Sequence, residues 1–463
     1  MNRHFHKLVM ACACLAAVGC IPEKRIVWSP NGKTAAVCTP NGLFLIDEEG
    51  KPLPAKVTGS PTRCAWFKDS KRLVVVHAAQ AKGWDDIAPL FDDAQRTMIA
   101  AEAKKTRERI LAHDGPWNQF QLDPNDQLSP GMETAIFMFL RDKDNAGIAD
   151  KLKEEWEGVA KATASIWQVQ VFGVSSQSLT PGPVLTRSLD EIRTPKISPK
   201  ETAVTFPMTA ADARNDDVAL HVVSLTGGLA RPVAAPVGLD FDWSPDGCDL
   251  VFIRSTSTSG AKNDESLQLG SLTTMTVADA SGALLPQWGP RKDLVGMLFS
   301  PVNGVRWLRD GRILFAAAEV TLPATSRDMP RQWSLFIHDP RTPASVVRAL
   351  GRDFPESLDP GLAMFEVSPN EELVLLPSPK GRISLYDFRN GTTTAIQAID
   401  DPDGKVRCIP SWKNDTEISM VAASESANGA KTPNDVLIWS NGKTKKISDG
   451  WSDEMREGWM DGK

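Results

Sequence analysis

The 463-residue chain carries no Gly-x-Ser-x-Gly elbow and no glycine-rich phosphate loop. Their absence removes the sequence marks of a serine hydrolase and of a P-loop nucleotide hydrolase. Beyond residue 19 the histidines are His77, His113, His221 and His338, and none has a second histidine or a cysteine at metal-ligand spacing. Each reads as a surface or satisfied β histidine. Cysteine is scarce as well. Past Cys20 there are Cys38, Cys64, Cys248 and Cys408, with no Cys-x-x-Cys pair, so neither a zinc ribbon nor a redox dithiol is indicated. No catalytic, cofactor-binding or metal-binding residue is assigned. The apolar segment Leu8–Val18 is too short to cross a membrane.

What the chain does have is repetition. The stretch Asp242-Trp243-Ser244-Pro245-Asp246-Gly247 ends one strand, turns tightly and releases the next at Leu250-Val251-Phe252-Ile253. In such a turn Pro presets φ, Asp fits the corner and Gly takes positive φ. Trp243 has equivalents at Trp28, Trp66, Ile197, Trp307, Val367 and Trp412. Three residues after each anchor comes Asn31, Asp69, Asp246, Asp310, Asn370 or Asp415, with Lys200 the exception. A β-rich run follows every turn. A third strand such as Leu43–Ile46 or Ile383–Tyr386, and a short fourth such as Ser345–Arg348, complete each copy. Self-similarity at a steady period means a repeat architecture, and radial stacking of four-stranded units hides most sheet edges.

The Trp-Ser-Pro-Asp-Gly turns, with the strand endings Ile46-Asp47 and Tyr386-Asp387, resemble the TolB-like, WD40-like β-propeller repeat over about residues 24–448. The resemblance implies a propeller and no particular activity, because that family includes scaffolds, binding proteins and domains that gate peptidases. The expected fold is all-β. It is a seven-bladed β-propeller of four-stranded antiparallel blades over residues 20–448, with a helical insertion in blade two. With the copies in phase from first strand to last, closure is expected to rest on apolar packing of blade one against blade seven. The tail 449–463 carries Trp451, Met455 and Trp459 at helical spacing, to dock on the last blade or to fray.

Residues 1–19 read as a lipoprotein signal peptide. Arg3 and Lys7 precede the apolar run, and Ala17-Val18-Gly19-Cys20 resembles a lipobox with Ala17 in place of the commoner leucine. Lipidation at Cys20 is expected, with an ordinary secretory signal or a plain anchor as the alternatives. Ile21, rather than Asp, follows the cysteine. By resemblance to proteobacterial sorting this favours the outer membrane, facing the periplasm or the cell surface. Losing the signal removes two basic residues and no acid, so the formal charge goes from −6 to −8. An acidic surface argues against nucleic acid as a partner and leaves membrane attachment to acyl chains. An exported compartment permits disulfides. Cys38 and Cys64 fall on strands of adjacent blades and form a possible disulfide, with buried thiols as the alternative.

Blade two is interrupted between its second strand, ending near His77, and its third, beginning at Ile166. Across residues 80–162 the periodicity changes to near four. Leu90, Ala94, Met98 and Ala101 form one stripe, Ala135–Leu140 a broader run, and Ile148, Leu152, Trp156 and Val159 another. A three-helix insertion is the reading, either a cap on its own blade or a partner-docking element. The acidic groups Asp212, Asp216, Asp217 and Asp400, Asp401, Asp403 match no calcium-loop pattern.

Three function classes stay open. The preferred one is a non-catalytic, lipid-anchored propeller that binds or scaffolds an envelope protein, with no cofactor. The others are a solute- or glycan-binding propeller and an envelope lyase or glycosidase with carboxylates gathered at the channel mouth.

Overall fold

The computed structural model describes residues 25–58, 63–117, 120–122, 128–209, 218–255, 268–299, 304–318, 333–342, 346–348, 365–377, 382–387, 389–397, 406–424 and 435–456. Strands come in groups of four consecutive segments. The first group is β1 (Ile26–Trp28), β2 (Thr34–Thr39), β3 (Gly42–Asp47) and β4 (Pro52–Thr58). The second is β5 (Arg63–Trp66), β6 (Arg72–Ala81), β7 (Ala164–Val174) and β8 (Leu179–Ser188). The third runs from β9 (Lys196–Ile197) to β12 (Arg231–Ala234). Beyond them lie β13 (Val237–Trp243) to β16 (Arg291–Phe299), β17 (Val305–Trp307) to β20 (Val346–Arg348), β21 (Glu366–Val367) to β24 (Thr392–Gln397), and β25 (Val406–Trp412) to β28 (Lys443–Lys446). All pairings are between antiparallel neighbours.

The expectation of seven separate blades is overturned by the pairing. Among the described residues there are five four-stranded blades and one eight-stranded sheet, β13 to β20, that curls into a half-barrel. The join is a single pair, Leu298 of β16 against Ala318 of β18 (Ile313–Ala318). Its cause is a mismatch of lengths. β17 has three residues and covers only Ile313, Leu314 and Phe315 of the six-residue β18. Beyond them the Ala316 N–H donates to the Gly304 carbonyl at 3.1 Å, and the nine-residue β16 reaches the end of the strand at Ala318. Five blades and this wide sheet together make the ring. The all-β propeller character stands, while the count of seven does not.

The repeated turn is built by its serine. Ser29, Ser198, Ser244 and Ser368 follow their anchors directly and are buried. Their hydroxyls accept backbone N–H groups from the departing strand: Thr34 at 3.1 Å, Ala203 at 3.1 Å, Asp249 at 2.8 Å and Leu373 at 2.9 Å. In three copies the same hydroxyl donates to the turn side chain, Asn31, Asp246 or Asn370. Serine thus satisfies backbone groups that the tight turn would leave open.

In six of the seven copies the chain takes positive φ four residues past the anchor. Gly32, Gly247 and Gly311 do so at 69°, 71° and 90°. Ser70, Glu201 and Glu371 do so at 56°, 54° and 60°, at a cost of about 1 kcal/mol each. For the two glutamates the offset is visible. Glu201 accepts the Lys68 N–H at 2.6 Å while Lys68 Nζ reaches the Pro199 carbonyl at 2.6 Å. Glu371 and Arg309 repeat the arrangement at 2.8 Å, with Arg309 donating to the Pro369 carbonyl at 2.8 Å. Each strained glutamate ties its turn to the preceding one.

No sheet among the described residues mixes strands of the first and last copies. The seam is closed by side chains. Trp28 Nε1 donates to Ser419 Oγ at 2.9 Å, and Ser411 Oγ donates to the Ile26 carbonyl at 3.1 Å. Ile26, Trp28, Val37 and Ile46 share one apolar cluster with Val421, Val436 and Ile447. Trp451 and Met455, the latter on the short helix Asp453–Arg456, join that cluster from the tail. Trp451 Nε1 donates to the Gly50 carbonyl at 2.8 Å, and Arg456 pairs with Asp435 at 3.0 Å. The tail therefore touches both sides of the seam.

Candidate functional site

Two places gather more polar chemistry than packing alone requires: the inner strands of the ring, and the root of the insertion.

The residue before each anchor sits on an inner strand. In the first, second and last copies it is Val27, Ala65 or Ser411. In the four between, it is Lys196, Asp242, Arg306 and Glu366, alternating in sign. Asp240, two residues before Asp242, completes the group. Its carboxylate accepts from Lys196 Nζ at 2.8 Å, from Arg306 Nη1 at 2.7 Å and from the Val305 N–H at 3.0 Å. Asp242 accepts the Trp307 N–H at 3.0 Å and lies 3.8 Å from Lys196. Glu366 accepts the Trp412 N–H at 3.1 Å. Three carboxylates thus cap backbone donors along the outer edge of the next inner strand's ladder.

Burial by itself raises the Asp240 pKa, but the Arg306 and Lys196 charges outweigh it and hold the carboxyl below its ordinary value. Burial lowers that of Arg306, and the Asp240, Asp242 and Glu366 charges more than reverse it. A carboxylate held this firmly ionised is a poor general acid at neutral pH. The arrangement can lock neighbouring inner strands together. Among the described residues no group of three or more His, Cys, Asp or Glu is placed to hold a metal ion.

Histidines stand apart from this group by their partners. His77 on β6 is 3.1 Å from Gln170 Oε1, and His221 Nδ1 is 3.2 Å from the Ala219 carbonyl. Burial holds both pKa values below the ordinary one. Asp212, Asp216, Asp217, Asp400, Asp401 and Asp403 lie outside the described residues, as does Cys20. Cys38 and Cys64 are brought together, with their sulfurs 3.6 Å apart.

The insertion occupies the β6–β7 connection. β6 runs on to Ala81, four residues past the expected end, and pairs with Ala164 there. Among the described residues the α-helices are Trp84–Ile87, Asp93–Ala112, Pro130–Lys143, Ile148–Leu152 and Trp156–Lys161, five where three are expected. The expected stripe Leu90, Ala94, Met98, Ala101 is not the buried one. Asp92 begins a new helix with a capping box to Gln95, so a period drawn through Leu90 crosses a break. Ile99, Ala103, Thr106 and Ile110 face inward instead, while Met98 is 39 % exposed. These residues pack with Ile136, Met138 and Leu140 into a core of the insertion that takes in the ends of its supporting strands, Ala81 and Ala164.

Two side chains root this unit. The buried Arg141 donates to the carbonyls of Lys82, at 2.6 Å, and of Ala162, binding the incoming and outgoing segments together. Its Nε pairs with Asp142 at 2.6 Å, and Asp142 in turn accepts the Trp84 N–H at 2.7 Å. Asp190, just past β8, accepts the Gly131 N–H at 2.8 Å and the Ser129 hydroxyl at 3.2 Å. It thereby caps the Pro130–Lys143 helix from the blade side. A Cβ at Gly131 would lie 2.7 Å from Asp190 Oδ1, so glycine is required for this approach. Burial raises the Asp190 pKa, and the two hydrogen bonds only moderate it.

No family model and no curated protein matches this sequence. Among solved structures it is similar to the β-propeller domain of Cps50 (Swd1) from Myceliophteria thermophila, at 8 % identity and TM-score 0.41 over 90 % of this chain and 97 % of that one. It is also similar to the propeller domain of the Trilobed protease from Pyrococcus furiosus, at 11 % identity and TM-score 0.37 over 62 % and 75 %. A third is the Pyrococcus horikoshii acylaminoacyl peptidase, at 13 % identity and TM-score 0.36 over 61 % of this chain. The match spans 41 % of that peptidase's length. The propeller assignment rests on the sheets themselves.

Proposed function

We propose that this chain is a non-catalytic, TolB-like scaffold, lipid-anchored at Cys20 to the bacterial envelope, whose helical insertion docks an envelope protein. The observation that carries this reading is the insertion's own core, rooted on blade two by Arg141 and Asp190. A loop that only capped its blade would need no second core. Units of this kind on a repeat scaffold are where partners are commonly met. The engagement of the inner-ring carboxylates with cations and backbone N–H groups weighs against a lyase or glycosidase at the channel.

The pairing of Ala81 with Ala164 allows a direct test. Replacing residues 82–163 with a two-residue Asn-Gly turn should join β6 to β7 as a plain hairpin, and the ring should still melt cooperatively. Crosslinking in intact envelopes should then capture an envelope protein on the full chain and lose it on the trimmed one. Partners retained by the trimmed protein would overturn the docking role. In the same cells Cys20→Ser should abolish acyl labelling and release the protein from membranes. Normal processing with unchanged membrane retention would sink the anchor.

A further inference from the structure

We infer that Cys38 and Cys64 form a disulfide that staples blade one to blade two. Cys38 lies on β2 and Cys64 on β5, in different sheets. Their sulfurs are 3.6 Å apart. Both side chains are buried, at 1 % and 4 % exposure, in the cluster that joins the two blades, among Ala36, Leu43, Leu73 and Val75. A bond requires the sulfurs to close by about 1.5 Å to the usual ~2.05 Å separation. Side-chain rotation within an interface of small and aliphatic neighbours can supply that. Cys248, at the fourth turn, is only half-buried and sits 3.7 Å from Lys200 Nζ. It is the internal control.

The chemistry is thiol–disulfide exchange. One cysteine thiolate attacks a donor disulfide, either a small-molecule disulfide or the disulfide of a protein oxidant. A mixed disulfide forms and one donor thiol leaves. The second cysteine thiolate then attacks the protein sulfur of that mixed disulfide and expels the second donor thiol. Two protein thiols lose two protons and two electrons, and the donor disulfide becomes two thiols. Because both sulfurs are buried, a donor reaches them only before blades one and two pack, or when they part. Oxidation should therefore be fast during folding and slow on the folded protein.

The test uses the purified full chain, so it is independent of where the protein resides. It is refolded from the reduced state in a buffer of oxidised and reduced glutathione, alkylated, and digested with trypsin without reduction. A linked pair of peptides, Thr34–Lys56 with Cys64–Lys68, lighter by two hydrogens than the separate peptides, is the expected product. Cys38→Ser and Cys64→Ser should each abolish it, and Cys248→Ser should not. The oxidised chain should melt several degrees higher than the same sample after reduction. That difference should vanish in the Cys38→Ala/Cys64→Ala double variant, which separates the staple from packing losses. Alkylation of both Cys38 and Cys64 after oxidative refolding would overturn the inference, as would pairing of either with another cysteine.

Discussion

Trp451→Ala should lower the unfolding free energy by about 3–5 kcal/mol, the usual cost of emptying a buried tryptophan site. Trp451 is 5 % exposed, lies in the seam cluster with Ile26, Trp28 and Met455, and ties its indole N–H to Gly50. Gly50 has φ +88°, and Ile447 packs so closely on it that a Cβ there would lie 2.6 Å away. Since no strand among the described residues crosses the seam, the loss falls on the interface whose packing closes the ring. Trp451→Phe should cost less, keeping most of the apolar contact and forfeiting the hydrogen bond. Urea unfolding followed by circular dichroism decides it. A shift below about 1 kcal/mol for the alanine variant would mean that the tail merely rests on the seam.

Asp240→Ala should be of similar size, about 3–5 kcal/mol, because it removes the carboxylate that two cations of the inner ring share. Lys196 and Arg306 both donate to this carboxylate, and the Val305 N–H loses its acceptor as well. Asp240→Asn keeps the volume and one acceptor and should fall between. The pH dependence follows from the direction of the shift. The folded-state pKa lies below the ordinary 3.8. The unfolded chain therefore binds the proton first, and the contribution to stability is complete above the unfolded value. It is lost as pH falls through the folded value. The gap between the native chain and Asp240→Asn should thus be constant near neutrality and close in acid below about pH 4. A gap that persists there would assign the effect to packing rather than charge.

What could be read from residues alone was local. The Trp-Ser-Pro-Asp-Gly turn announced its own geometry because proline, serine and glycine act on their immediate neighbours. Even so, the positive φ at Glu201 and Glu371 was hidden, since its compensation comes from Lys68 and Arg309 in the preceding turn. The merging of the fourth and fifth copies was illegible for a similar reason. It depends on how far β16 outruns β17, and strand ends are the least determined part of a pattern. The inner-ring charges, by contrast, leave a mark in the sequence. The residues before the anchors read Lys196, Asp242, Arg306, Glu366 in four consecutive copies, and opposite charges in fixed repeat phase predict contact around a ring. The insertion's helices were visible as a change of period, but the break at Asp92 shifted which face turned inward.

A ring whose described residues meet at the seam through side chains treats that seam as one interface among several, so the chain can be restarted elsewhere. The Trp451 indole bonds to Gly50, and Ser411 bonds to the Ile26 carbonyl, which puts the two ends of the described chain on the same interface. A circular permutant that links residue 456 to residue 25 and opens between Gln397 and Val406 should keep every blade as a continuous stretch. In a propeller closed by an exchanged strand, the same cut and splice would separate a blade from its own edge. Comparable folding yield and melting temperature for permutant and parent would establish that order along the chain is incidental to this ring. A permutant that folds only when β1 is duplicated at its far end would show that the seam needs its native chain ends.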